Sequence, residues 1–159
     1  MENRYHVNLR KTLNIVALLA VAIAFITILM NWSTLPNQVP SHYNTLGEVD
    51  SWSNKWFIFF VPTIGLALWF FLHALEKRPQ HLNMPGVGKD PTPAQLGNVQ
   101  LFSNVIKNEI LIIFSLFSLR DVLVSKGNDI NLGIWEIVLF FGIFLITVTY
   151  FIIRSSRLK

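Results

Sequence analysis

The sequence contains no cysteine, and Asp, Glu, Lys and Arg make up only 14% of its 159 residues, against about 25% in an average soluble domain. The first absence excludes a disulfide framework, a thiolate metal site and a cysteine nucleophile. The second argues against an ordinary soluble surface. Soluble-enzyme motifs are missing as well. There is no HExxH metalloprotease helix and no nucleophile elbow, and "GVGKD" at Gly86 to Asp90 lacks the spacing of a phosphate loop. No internal repeat, low-complexity tract or nucleic-acid motif is present. What the chain does have is hydrocarbon. Hydrophobic residues reach 52%, and the few charges are segregated from them, which is the pattern of an integral membrane protein.

Four apolar runs carry that pattern: Leu13 to Met30, Trp56 to Leu75, Ile110 to Val124 and Leu132 to Ile153. A crossing helix needs about 20 residues. The first, second and fourth runs meet this directly. The third is interrupted by Arg120 and Asp121 and reaches it only by starting near Gln100. The expectation is an all-α integral membrane protein with four transmembrane helices at about 13–31, 56–76, 100–124 and 132–154, forming one membrane domain. The first run has a basic start and an "AIA" at Ala22 to Ala24 that resembles a signal-peptide cleavage site. The apolar stretch continues as "FITILM", a length that suits a retained helix.

Lys and Arg orient the helices. Arg4, Arg10 and Lys11 precede the first, and Lys77, Arg78, Lys89 and Lys107 are assigned to the segment between the second and third. Arg154, Arg157 and Lys159 follow the fourth, while Lys55 and Lys126 lie on the opposite side, with Arg120 near that rim. Both termini and the loop 77–99 are therefore expected in the cytoplasm, in a multi-pass protein of the cell membrane. The loop 32–55 is expected outside. In loop 77–99, Thr92 and Pro93 form a helix-start pair, cap followed by first helical residue. Leu96, Val99 and Phe102 or Ser103 recur at helical spacing beyond it. This fits a plain connector ending in a helix entry or a surface-lying helix that runs into the third crossing. Asn104, Lys107, Asn108 and Glu109 are read as the water boundary, and His73 as a side chain reaching toward headgroups.

The outer loop is "LPNQVPSHYNTLGEVDSWSNKW". Pro36 and Pro40 favour extended backbone before them, giving a stalk. "SHYN" reads as a short strand, Gly47 supplies a reversal, and "SWSNKW" returns to the membrane. A small extracellular hairpin or ordered loop is expected, bracketed by interfacial Trp32, Trp52 and Trp56.

His42 and Asp50 are candidate metal ligands, but a metal site needs three or four groups, so no metal is assigned. No catalytic residue is assigned, and the sequence requires no cofactor. Asn44 and Asp50 equally suit turn hydrogen bonds. Arg120, Asp121 and Glu136 fall on the same side. Charges in membrane helices cost about 2.5–3.5 kcal/mol each and face the bundle or a wet cavity. Two arrangements stay open: a shared vestibule with His42, Asp50 and Lys55, or a headgroup-level set paired with lipid. The candidate binding residues are His42, Asn44, Asp50, Trp52, Lys55, Arg120, Asp121 and Glu136.

The loop resembles the signature "LP…(V/I)P.H(F/Y/W)N..G..D.W..K" of a bacterial membrane domain family of unknown function, found at the N-terminus of the SdpI immunity protein. Leu35, Pro36, Pro40, His42, Asn44, Gly47, Asp50, Trp52 and Lys55 match. "HLNMP…TPAQLGNVQ" is similar to the family's second element, so the likeness runs from about Leu13 to Phe102. It implies a non-enzymatic SdpI-like protein that senses or resists an extracellular peptide or envelope stress. The partners it implies are the lipid bilayer and an extracellular peptide or a membrane partner, with no nucleic acid. The residues leave two alternatives open: a membrane metal-dependent enzyme using His42 and Asp50 with Glu136 or Asp121, and a small transporter or permease accessory subunit.

Overall fold

The structure, a computed structural model, describes residues 4–130 and 133–158. Helix α1 spans Arg4–Asn31, and a hairpin of strands β1 (Gln38–Tyr43) and β2 (Val49–Asn54) follows. A 3-10 turn, Lys55–Phe59, leads into α2 (Phe60–Glu76), and α3 (Pro93–Ser125) and α4 (Ile134–Arg157) complete the fold. Three segments are long and apolar enough to cross a membrane: Arg4–Asn31, Lys55–Glu76 and Ile134–Arg157. The expected start of the fourth helix, Leu132, and the terminal Lys159 lie outside the described residues.

Several boundaries differ from expectation for identifiable reasons. Helix α1 begins at Arg4 and not near Leu13, because its basic first turns contain no breaker. The second helix opens as a 3-10 turn. Pro62 has no N–H to offer the Ile58 carbonyl, so the α-helical ladder cannot run through that turn. The stalk is absent at its start. Thr34 and Leu35 both donate their N–H to the Asn31 carbonyl, at 3.0 Å each, so the chain turns on the end of α1 before β1 begins. Helix α3 is continuous from Pro93, with no separate surface-lying part. It opens on a capping box in which Thr92 Oγ1 accepts from the Gln95 N–H and Gln95 Oε1 accepts from the Thr92 N–H.

Helix α3 is the centre of the bundle. It packs against α1, α2 and α4, and it also meets β1. Small residues allow the close approach. Ala17 and Ala24 of α1 are fully buried, as is Ser118 of α3. Gly65 of α2 leaves so little room that a Cβ there would lie 2.8 Å from Phe114 Cβ. The Ser115 and Ser118 hydroxyls donate to the carbonyls four residues back, so these buried polar groups stay satisfied within α3. Helix α4 packs on α3 and leaves most of its apolar surface exposed.

At the terminal end of the bundle the polar residues are not at a water boundary. Lys107 is fully buried, 14 residues into α3 and away from the connector. Its ammonium donates to Glu76 and to His73 Nδ1 (2.8 Å), and lies 4.6 Å from the Trp69 ring centre. Asn104 donates to Glu76 Oε1 and Asn14 Oδ1, and Trp69 donates to Asn108 Oδ1. Arg10 stands 3.4 Å from Glu76. The network ties α1, α2 and α3 together. His73 is stacked on Trp69, with ring centres 5.0 Å apart, so it is no free snorkelling group. Glu109 turns the other way, toward α4, and accepts from the Thr147 hydroxyl.

Candidate functional site

The site is built where the hairpin meets α3 and α4. Its turn is held by one side chain. Asn44 Oδ1 accepts from the Leu46 and Glu48 N–H groups at 2.9 and 3.0 Å. Asn44 Nδ2 also donates to Glu48 Oε2. Gly47 completes the reversal at φ 77°, a region that a side chain makes costly. Asn44 is thus a turn-forming residue. The strands pair antiparallel, with irregular register around His42.

Alternation along β1 sends His42 and Tyr43 to opposite faces. His42 Nδ1 meets Asp50 Oδ1 at 2.6 Å across the hairpin, and both side chains are substantially exposed. Asp50 therefore pairs with the histidine and makes no turn bond. Among the described residues, no three His, Asp or Glu side chains gather to hold an ion. His42 and Asp50 form a pair without further ligands.

Tyr43 points into the bundle. Its hydroxyl donates to Asp121 Oδ1 at 2.6 Å. Burial, followed by the Asp121 carboxylate beside it, holds the phenol well above its ordinary ionisation range. The Arg120 guanidinium lies over the Tyr43 ring, 3.9 Å from its centre. The same fork donates to the Gly47 carbonyl (2.9 Å), the Ile130 carbonyl (3.2 Å) and Glu136 Oε2 (2.5 Å). One arginine thereby joins the hairpin turn, α3, the α3–α4 loop and α4. A guanidinium suits this role because its donors form a rigid, planar fork.

The eight candidate residues separate into groups. His42 and Asp50 form one pair, Arg120 and Glu136 another, and Asp121 joins the second through Tyr43. Lys55 faces away, donating to the Leu35 carbonyl and lying over Trp32. Trp52 stands half-exposed opposite Pro40. Trp32 and Trp56 pack against each other with ring centres 4.7 Å apart. Tyr43, the residue that links hairpin to bundle, is not among the eight candidates. Its position beside His42 in an alternating strand was the available signal.

Under the hairpin lies a cleft of about 320 Å³ between α2 and α4. Phe57, Val61, Phe117 and Ile137 form its apolar walls. His42, Tyr43, Arg120, Asp121 and Glu136 supply its polar side.

Residues 19–66 match the family model described as a domain of unknown function (DUF1648). The matched segment runs from mid-α1 through the hairpin into the first turns of α2, and so includes the whole "LPNQVPSHYNTLGEVDSWSNK" motif. The second element, beginning at His81, lies outside it. No curated protein and no solved structure matches the chain.

Proposed function

We propose that this chain, with its domain of unknown function at 19–66, is a four-span SdpI-like membrane protein that senses or confers resistance to an extracellular peptide or envelope stress. Helix α3 serves as the third span. Its polar residues turn inward to the other helices, so its low apolarity is no obstacle to crossing. Removing Lys107 from the loop cations leaves the positive bias intact, since Arg4, Arg10, Lys11, Lys77, Arg78, Lys89, Arg154 and Arg157 remain at the terminal end. Both termini are then cytoplasmic and the hairpin is extracellular.

The observation that carries the reading is the Arg120 anchor. A recognition loop works best when a rigid scaffold holds it, and Arg120 fixes the hairpin turn to α3 and α4. The fixed hairpin presents His42, Asp50 and Trp52 to solvent above an amphipathic cleft. The test is survival of cells, with and without the protein, under a panel of secreted antibacterial peptides. Protection that is lost in both Arg120→Ala and Trp52→Ala, at unchanged protein level, supports the reading. Protection that is indifferent to both removes the hairpin from the function.

The buried Lys107–Glu76–His73 network favours one second reading, a small transporter or permease accessory subunit, because ionisable groups inside a helix bundle often line a pathway. Peptide protection without any change in solute flux decides against it.

A further inference from the structure

We infer that the cleft between α2 and α4 is a binding site for a cationic amphiphile, with Asp121 as the group that receives the positively charged head. The inference rests on the proposed reading that the hairpin end is where ligand is recognised, and it names the chemistry of that ligand.

Asp121 is 6% exposed and lines the cleft. Its Oδ1 is taken by the Tyr43 hydroxyl, while Oδ2 has no hydrogen bond among the described residues. Oδ2 is not sealed inside the bundle and keeps some accessible surface, so it is reachable from the cleft. A donor entering the cleft would satisfy it. The neighbouring charges do not compete for that donor. Arg120 is committed to Glu136, the Gly47 carbonyl and the Ile130 carbonyl, and its charge is matched by Glu136. His42 is turned to Asp50. Asp121 is therefore the charge that the surrounding ion pairs leave over, and the cleft favours a cation.

The rest of the cleft sets the remaining chemistry. Phe57, Val61, Phe117 and Ile137 form walls for an apolar chain beside the head. A second cavity of about 320 Å³, with nearly all its lining apolar, shares Phe117, Arg120 and Glu136 with the first and continues along the α3–α4 seam to Ile113 and Ile143. The two together suit a molecule with an ammonium or guanidinium head and a hydrocarbon tail lying along α4. A basic residue followed by apolar ones in a peptide has this chemistry, as does an alkylamine.

The test uses the full chain in zwitterionic lipid nanodiscs and a photoreactive alkylamine as probe. Labelling should map to the segments holding Phe117 and Ile137. Excess dodecylamine should block it, and dodecanoate should not. Asp121→Asn, which keeps an acceptor for Tyr43 but removes the charge, should weaken probe binding about tenfold, the usual scale of one charge-assisted hydrogen bond. Ile137→Trp fills the cleft while leaving every charge in place and should also remove labelling, which keeps the test decisive if Asp121→Asn fails to fold. Labelling unchanged in Ile137→Trp, wild-type binding in folded Asp121→Asn, or equal competition by dodecanoate would overturn the site. If the site fails while Arg120→Ala and Trp52→Ala still abolish protection, the recognition reading stands without this ligand. If the amine binds as described while protection ignores the hairpin, that reading falls and the site remains.

Discussion

Arg120 lies 3.9 Å from the centre of the Tyr43 ring, and through that contact a single side chain of α3 holds the hairpin turn, the α3–α4 loop and Glu136 of α4 in one arrangement. Hydrogen bonds and a cation–aromatic contact converge there, so the hairpin is part of the bundle and not a tether above it.

Arg120→Ala leaves Glu136 largely buried without its cation. Breaking one side of such a pair costs about 3–5 kcal/mol. The expected outcome is a destabilised fold and faster amide exchange at Asn44 to Val49. The charge exchange Arg120→Glu with Glu136→Arg should recover part of the loss. Asp50, paired with His42, should give no such recovery when exchanged with Arg120.

The Tyr43 phenol has its ionisation raised above the ordinary value, first by burial and then by Asp121. A raised value in the fold means that its contribution to stability is complete below the unfolded value of about 10 and declines as pH rises beyond it. Absorbance titrations of folded wild type and Tyr43→Phe should coincide up to about pH 11, because Tyr43 does not ionise in that window. Unfolded wild type should show one more ionising phenol than unfolded Tyr43→Phe.

Lys107→Met strips the buried Glu76 of its closest cation. A loss of about 3–5 kcal/mol is expected, read as a lower temperature of thermal aggregation in detergent. Glu76 keeps Arg10 at 3.4 Å, which places the loss toward the lower end. The double variant Glu76→Leu, Lys107→Met should be more stable than Lys107→Met alone, since it removes both charges together.

Gly65→Val drives two methyl groups toward Phe114, where even a Cβ would come within 2.8 Å. Overpacking of this kind costs about 1–3 kcal/mol. Gly142, with open space around it, should accept alanine without loss of thermal stability.

The sequence makes some of this fold easy to read. Uninterrupted apolar runs mark α1, α2 and α4, and Asn44, Gly47 and the flanking prolines mark the hairpin. It hides α3 because that helix is patterned in the opposite sense. Asn104, Lys107, Asn108, Leu111, Ser115, Ser118 and Val122 are all buried, and apart from the adjacent Lys107 and Asn108 they follow one another at intervals of three or four. In a soluble helix such a polar stripe would face water. Here the Asn, Lys and Ser side chains face the bundle together with Leu111 and Val122, while Leu116 and Leu123 are exposed. Chain position alone makes Lys107 a loop cation; only the packing of α3 against α1 and α2 buries it. The convergence of Tyr43, Arg120 and Gly47 spans separations of 73 residues and more, and no local pattern encodes it.

The central claim is that the hairpin end faces the exterior. The chain has no cysteine, so single substitutions report without background. Ser51→Cys, exposed on β2, and Lys89→Cys, exposed in the connector, can each be treated on intact cells with a membrane-impermeant maleimide. The account predicts labelling at position 51 before permeabilisation and at 89 only after it. Labelling of 89 on intact cells with 51 protected would contradict it.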